Sequence, residues 1–119
     1  MRLRFPKTAR LRRASEFSRL RSEGVSVHGK FMVLSVLRHD TTADARIGFI
    51  TSRRVGGAVE RSRVRRRLRE LVRADRPRLA ANCWLVLIAR ANAARAEFAQ
   101  LRNEWRALAQ SSGVLTGDA

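Results

Sequence analysis

Apolar and polar residues along this chain follow two different periods, and each change of period marks an element. "SEFSRLRSEG" has helical spacing, with Phe17 and Leu20 on one face, Ser15 placed to cap, Glu16 in the first turn and Gly24 as the stop. "VSVHG" reads as a short extended piece. The β-branched and aromatic residues of "KFMVLSVLRHD" predict a strand from about Phe31 to Arg38. The turn "HDTTAD" leads into a second strand in "RIGFITSR", and so short a connection predicts that the two pair antiparallel.

The paired glycines of "VGGAV" permit a tight backbone path that ends the second strand. From Ala58 to Asp75 the period is helical, and Val64, Leu68, Leu71 and Val72 fall in one arc that must face a core. Pro77 closes that helix. "NCWLVLIAR" is apolar on both faces, as a central strand is, and a strand reached through a helix is predicted to lie parallel to an earlier one. A last helix from about Ala94 to Gln110 sets Phe98, Leu101, Trp105 and Leu108 on one stripe. Residues 1–14, basic and carrying Pro6, read as an extended arm, and residues 111–119 as a frayed tail. The expectation is one domain over residues 1–119, an α+β two-layer sandwich.

Charge changes the picture. The 119 residues hold 26 Lys and Arg against 10 Asp and Glu, a net charge of +16. A folded domain this basic is built to meet a polyanion, nucleic acid before an anionic membrane. No apolar run approaches the ~18 residues that span a bilayer, and the N-terminal stretch lacks the hydrophobic middle of a secretory signal. Cys83 is the only cysteine, which excludes an intrachain disulfide and fits a reduced, cytoplasmic setting. It lies in an apolar run, as a core residue does. Neither His28 nor His39 has an acid at general-base spacing, and no His/Cys cluster has zinc spacing.

The cations concentrate between Arg53 and Arg78, where only Glu60, Glu70 and Asp75 oppose them. On the helical wheel Ser62, Arg65, Arg66, Arg69, Arg73 and Arg76 lie opposite or beside the apolar stripe with no acid among them. Arg63 and Arg67 lie on the flank of Glu60 and Glu70, and Arg61 at the edge of the apolar arc. Like-charged i,i+4 pairs such as Arg65–Arg69 destabilise an isolated helix by a few tenths of a kcal/mol each, so the face predicts a ligand. With Ser62 as the one polar group able to address a base edge, contact is predicted to run mainly to the phosphate backbone.

These residues resemble a known family. "IGFITSRRVGGAVERSRVRRRLREL", with "FPKTARLRRASEF" before it and "WLVLIARA" after it, is similar to the protein component of bacterial ribonuclease P from about Phe5 to Leu108. Arg61-Ser62-Arg63 takes the place of an Arg-Asn-Arg signature, and Gly57 stands where Asn is common. The resemblance implies an αβββαβα fold with a left-handed βαβ crossover, shared with a ribosomal small-subunit protein. It implies that Arg61, Ser62, Arg63, Arg65, Arg66, Arg69 and Arg73 bind the catalytic RNA. It further implies a cleft between the first helix and the sheet that holds the single-stranded 5′ leader of precursor tRNA.

For that cleft the candidates are Phe17, Arg19, Phe31, Phe49, Arg53 and Arg54, aromatic platforms beside cations. Phe31 and Phe49 fit core and cleft equally, since the pattern does not fix the strand face. Catalysis then belongs to the RNA and its Mg²⁺, with no catalytic residue and no cofactor in this chain; DNA and membrane are not expected partners. A ribosomal or translational RNA-binding module of the same fold, and a small basic nuclease acting alone, are the alternatives.

Overall fold

Helix α1 (Ala14–Glu23) is followed by strands β1 (Val25–His28), β2 (Met32–Arg38) and β3 (Arg46–Ile50), then by helix α2 (Ala58–Asp75), strand β4 (Cys83–Ala89) and helix α3 (Phe98–Ser111). The computed structural model describes residues 14–38 and 45–115, so the predicted arm of residues 1–14 lies almost wholly outside the described residues, as does His39. The order αβββαβα agrees with the expectation. The strands form one sheet in the order β1-β2-β4-β3.

The predicted antiparallel pairing of β2 with β3 does not occur. β4 lies between them, antiparallel to β2 and parallel to β3. Its residues are apolar at every position, and the centre of the sheet is where both faces are covered. The pairing of β3 with β4 is the parallel one predicted for a strand reached through a helix.

Strand alternation separates the sheet's two faces. Met32, Leu34, Val36, Ile47, Leu85 and Leu87 meet the α2 stripe of Val64, Leu68, Leu71 and Val72, together with Leu101 and Trp105 of α3. Each large side chain buried here contributes roughly 1.5–3 kcal/mol. On the opposite face Leu37, Trp84 and Val86 pack against Leu20 and Phe17 of α1. Gly24 permits that helix to end hard against β2: a Cβ there would stand 2.5 Å from the carbonyl oxygen of Leu20 and 2.9 Å from that of Val36.

Two boundaries differ from expectation. α3 begins at Phe98, not Ala94, because residues Ala91–Arg95 form a 3-10 turn and Glu97 with Gln100 makes a reciprocal capping box. Phe98 is consequently 39% exposed, whereas Leu101 and Trp105 are fully buried. The tail is not frayed through residue 115. Gly113, at φ +78°, turns the chain back, Val114 is fully buried, and its carbonyl accepts from the Ala80 amide at 2.7 Å.

Two acids lock α3 in place. Glu104 accepts from the backbone amides of Lys30, Phe31 and Met32 at 2.5, 2.7 and 2.9 Å. Asp75, buried at the end of α2, accepts from Trp105 Nε1 at 3.0 Å, Arg106 Nε at 3.1 Å and Arg78 at 2.7 Å. Burial pushes the Asp75 carboxyl up, but hydrogen bonds from Arg106, Arg78 and Trp105 outweigh it and hold the group below the ordinary aspartate value.

A depressed carboxyl adds stability that is present above the ordinary aspartate value and is lost as pH falls through its folded value. Asp75→Asn is expected to destabilise the fold by about 3 kcal/mol at neutral pH, because it leaves the arginines and indole facing a neutral amide. Urea melts taken below about pH 4 should show the gap between wild type and D75N narrowing; a constant gap would contradict this role.

Candidate nucleic-acid interface

α2 sorts its arginines by what stands beside each flank. Gly56, at φ +147° in the left-handed region, makes the entry turn possible, and a Cβ there would meet that of Glu60 at 2.9 Å. Gly57 follows as N-cap without any side-chain cap. The buried stripe then fixes the helix's rotation. On the flank toward α3, Arg63 donates to the carbonyl of Ala94 and Arg67 to that of Ala96, at 3.4 and 3.3 Å. These two arginines clamp the 3-10 turn to α2.

On the flank toward β3, Arg65 donates to Thr51 Oγ1 at 2.7 Å, and the Arg69 guanidinium lies 5.9 Å from the centre of the Phe49 ring. Along the crest Ser62 and Arg66 are exposed, and the Arg66 side chain has no hydrogen bond or ion pair among the described residues. Arg73 departs from the purely positive face predicted for it. It pairs with Glu70 at 2.6 Å, because three residues along the helix bring the two side chains together. Arg61 turns back toward the carbonyl of Gly57, at 3.4 Å, and stays at the helix entry.

Between β3 and α2, residues 51–57 form a tight turn: the Val55 amide donates to Ser52 and that of Gly56 to Arg53. Val55 is buried as an anchor, while Arg53 and Arg54 are exposed at the tip with no side-chain partner among the described residues. Ion pairing elsewhere leaves this surplus standing. Glu16 takes Arg46, Glu23 takes Arg19, and Asp75 takes Arg78 and Arg106.

The opposite face of the sheet holds a cleft of about 270 Å³ between α1 and the strands. Registered rows build its floor: His28, Val33, Ile88 and Ile50 in one, and Ser26, Ser35 and Val86 in the next. Phe17, Leu20 and Arg21 of α1 form its wall. Ser26 Oγ and Ser35 Oγ share a hydrogen bond at 2.7 Å, a polar point in an otherwise apolar floor. Ile50 faces the cleft while the next residue, Thr51, meets Arg65, so the end of β3 separates the cleft from the basic face of α2. The turn carrying Arg53 and Arg54 stands where the two meet.

Of the residues proposed for the cleft, Phe17 lines it, whereas Arg53 and Arg54 do not line it and lie in the turn that follows Ile50 and Thr51. Phe49 does not enter it. Its register with Leu87 puts it on the α2 side of the sheet. Phe31, just before β2, also packs against the helix layer, under Lys30. Arg19 is held by Glu23 and lies over Trp84, 5.7 Å from the ring centre, on the part of α1 that covers the sheet. Sequence reasoning missed Arg21, Ser26, His28 and Ser35. The alternation of β1 and β2 marks each pair of positions as equivalent but does not say which face α1 covers.

The wider comparisons agree with this architecture. A family model described as Ribonuclease P matches residues 5–112. The chain is 42% identical over 109 residues to a ribonuclease P protein component from Chloroflexus aurantiacus, covering 89% of this chain and 78% of that one. It is 36% identical to one from Symbiobacterium thermophilum, covering 92% and 95% respectively. The solved Staphylococcus aureus ribonuclease P protein superposes with a TM-score of 0.84 over 91% of this chain and 98% of that one, at 22% identity, and so shares the fold. With its arginine-crested helix, its cleft and these relatives, the chain belongs to the ribonuclease P protein family.

Proposed function

We propose that the chain docks on the catalytic RNA of ribonuclease P through the crest and β3 flank of α2, and holds the single-stranded 5′ leader of precursor tRNA in the cleft beneath α1. Its family makes it the protein subunit of a ribonucleoprotein endoribonuclease; the surfaces assigned to each RNA are inferred from its geometry. The carrying observation is the partition of charge around α2. Arg63, Arg67 and Arg73 are engaged on the α3 side and with Glu70, Arg65 and Arg69 turn toward Thr51 and Phe49 on the β3 side, and Arg53, Arg54 and Arg66 are exposed without a carboxylate partner among the described residues. Arg61 and Ser62 extend that surface at the helix entry.

Phosphates bound along this face replace condensed counterions, which makes docking strongly salt-dependent. In the cleft Phe17 offers a stacking face and Arg21 a cation, and a strand leaving the Ile50 end meets Arg53 and Arg54. The apolar floor favours unpaired bases over a duplex, whose bases are already stacked. Among the described residues no three of His, Cys, Asp or Glu come together. In the particle proposed, Mg²⁺ bound to the RNA would supply Lewis-acid chemistry for phosphodiester hydrolysis. The residues of this chain bind, orient and screen phosphate charge. No helix among the described residues is long and apolar enough to cross a membrane.

Reconstitution with a bacterial ribonuclease P RNA at low Mg²⁺ tests the reading as a whole: the protein should restore cleavage of a precursor tRNA, and failure to do so would overturn it. Reversing Arg65 and Arg69 to Glu should abolish assembly with that RNA while leaving the thermal transition in place. Reversing Arg63 and Arg73 should weaken assembly less. Wild-type affinity should fall with salt by about 0.7–0.9 log units per log unit of salt for each phosphate engaged, and a flat response would exclude backbone docking. Phe17→Ala should weaken binding of precursor tRNA far more than of mature tRNA; equal losses would remove the leader from the cleft.

A further inference from the structure

A second concave site lies on the α3 side of α2, away from the leader cleft. It has a volume of about 400 Å³ and is lined by Arg66, Arg67, Glu70 and Phe98. Phe98 is its unusual member. The stripe that buries Leu101 and Trp105 would bury Phe98 too, yet its ring is 39% exposed. The backbone that carries it is held from behind. The capping box of Glu97 and Gln100 sets the first turn of α3, and the bond from Arg67 to the Ala96 carbonyl ties the preceding residues to α2. An aromatic face fixed in solvent before any ligand arrives loses little entropy on binding.

The polar residues narrow the ligand. Glu70 disfavours a phosphate inside the pocket, and an acidic peptide for the same reason. A carboxylate accepts hydrogen bonds from the amino edge of cytosine or guanine, as it does when proteins read base edges. Glu70 is oriented by Arg73 at 2.6 Å, and a carboxylate has room for several donors. Arg66 at the rim, exposed and without a partner among the described residues, suits the phosphate beside such a base.

We infer that the pocket of Arg66, Glu70 and Phe98 receives one unpaired, amino-bearing nucleobase of the RNA that docks on α2, stacked on Phe98 with its flanking phosphate on Arg66. The inference rests on α2 being the docking helix. It adds a base-reading contact to a helix that otherwise engages backbone. The base comes from the structured RNA crossing the crest, since the leader cleft lies on the other face of the sheet.

The test uses full-length protein with an in vitro transcribed bacterial ribonuclease P RNA, reading affinity across a salt series and the chemical reactivity of base edges in the complex. Phe98→Ala and Phe98→Leu should each lower affinity about tenfold, the scale of one lost stacking contact, with an unchanged salt slope. Phe98→Trp should retain wild-type affinity. Arg66→Ala should instead reduce the salt slope by about one. In F98A complexes one unpaired cytosine or guanine should become reactive while backbone protections persist.

Wild-type affinity in F98A and F98L, a loss that F98W fails to restore, or an unchanged pattern of base reactivity would each overturn the inference. The R65E/R69E double variant separates the two readings. If it fails to bind RNA while F98A binds normally, the pocket is refuted and the docking helix stands; if it binds normally, the docking helix itself is refuted.

Discussion

The fold depends on one strand being apolar on both sides. β4 presents Cys83, Leu85, Leu87 and Ala89 to the helix layer and Trp84, Val86 and Ile88 to the face beneath α1. Such a strand is stable only where both faces are covered, so it takes the centre of the sheet and moves β3 to the edge. From that follow the parallel pairing of β3 with β4, the passage of the chain through α2, and the placing of the basic helix along an edge strand. A charged residue in place of Leu85 or Leu87 would disturb all of these together, since burial of an unpaired charge carries a high cost.

The arginines are not equivalent, although the sequence places them in one run. Packing divides them into those that hold the scaffold and those that face outward. Arg67 and Arg63 donate to carbonyls near the start of α3, and Arg78 and Arg106 to the carboxylate of Asp75. These contacts orient α2 against α3, so the outward-facing residues are carried on a fixed frame. Arg65 and Arg69, on the other flank, are steered by the Thr51 hydroxyl and the Phe49 ring. In the function proposed, the exposed Arg53, Arg54 and Arg66 supply the field that attracts an RNA backbone.

The two faces of the sheet divide the labour. Beneath α1 the floor is mostly apolar with one serine pair, which suits unstacked bases; across α2 the surface is cationic, which suits phosphates. The edge at Ile50 and Thr51 lies between the two, and in the function proposed it sets the strand and the structured RNA on neighbouring surfaces. The aromatic ring of Phe98 stands apart from both, on the third side of the basic helix.

Much of this was legible in the residue pattern. The stripe of Val64, Leu68, Leu71 and Val72 placed α2, because a helical period held over more than two turns fixes both the element and its buried face. The central character of β4 could be read from its lack of alternation, and the cationic surplus from composition. Tertiary structure alone decided the rest. Strand alternation is symmetric, so only packing could put Phe49 and Phe31 with the helix layer and Ser26, His28 and Ser35 in the cleft. Short connections favour hairpins, so only the two-sided burial of β4 could separate β2 from β3. Charge along a helix is a one-dimensional fact; whether an arginine such as Arg73 or Arg66 is neutralised or presented depends on which acids and carbonyls the fold brings beside it.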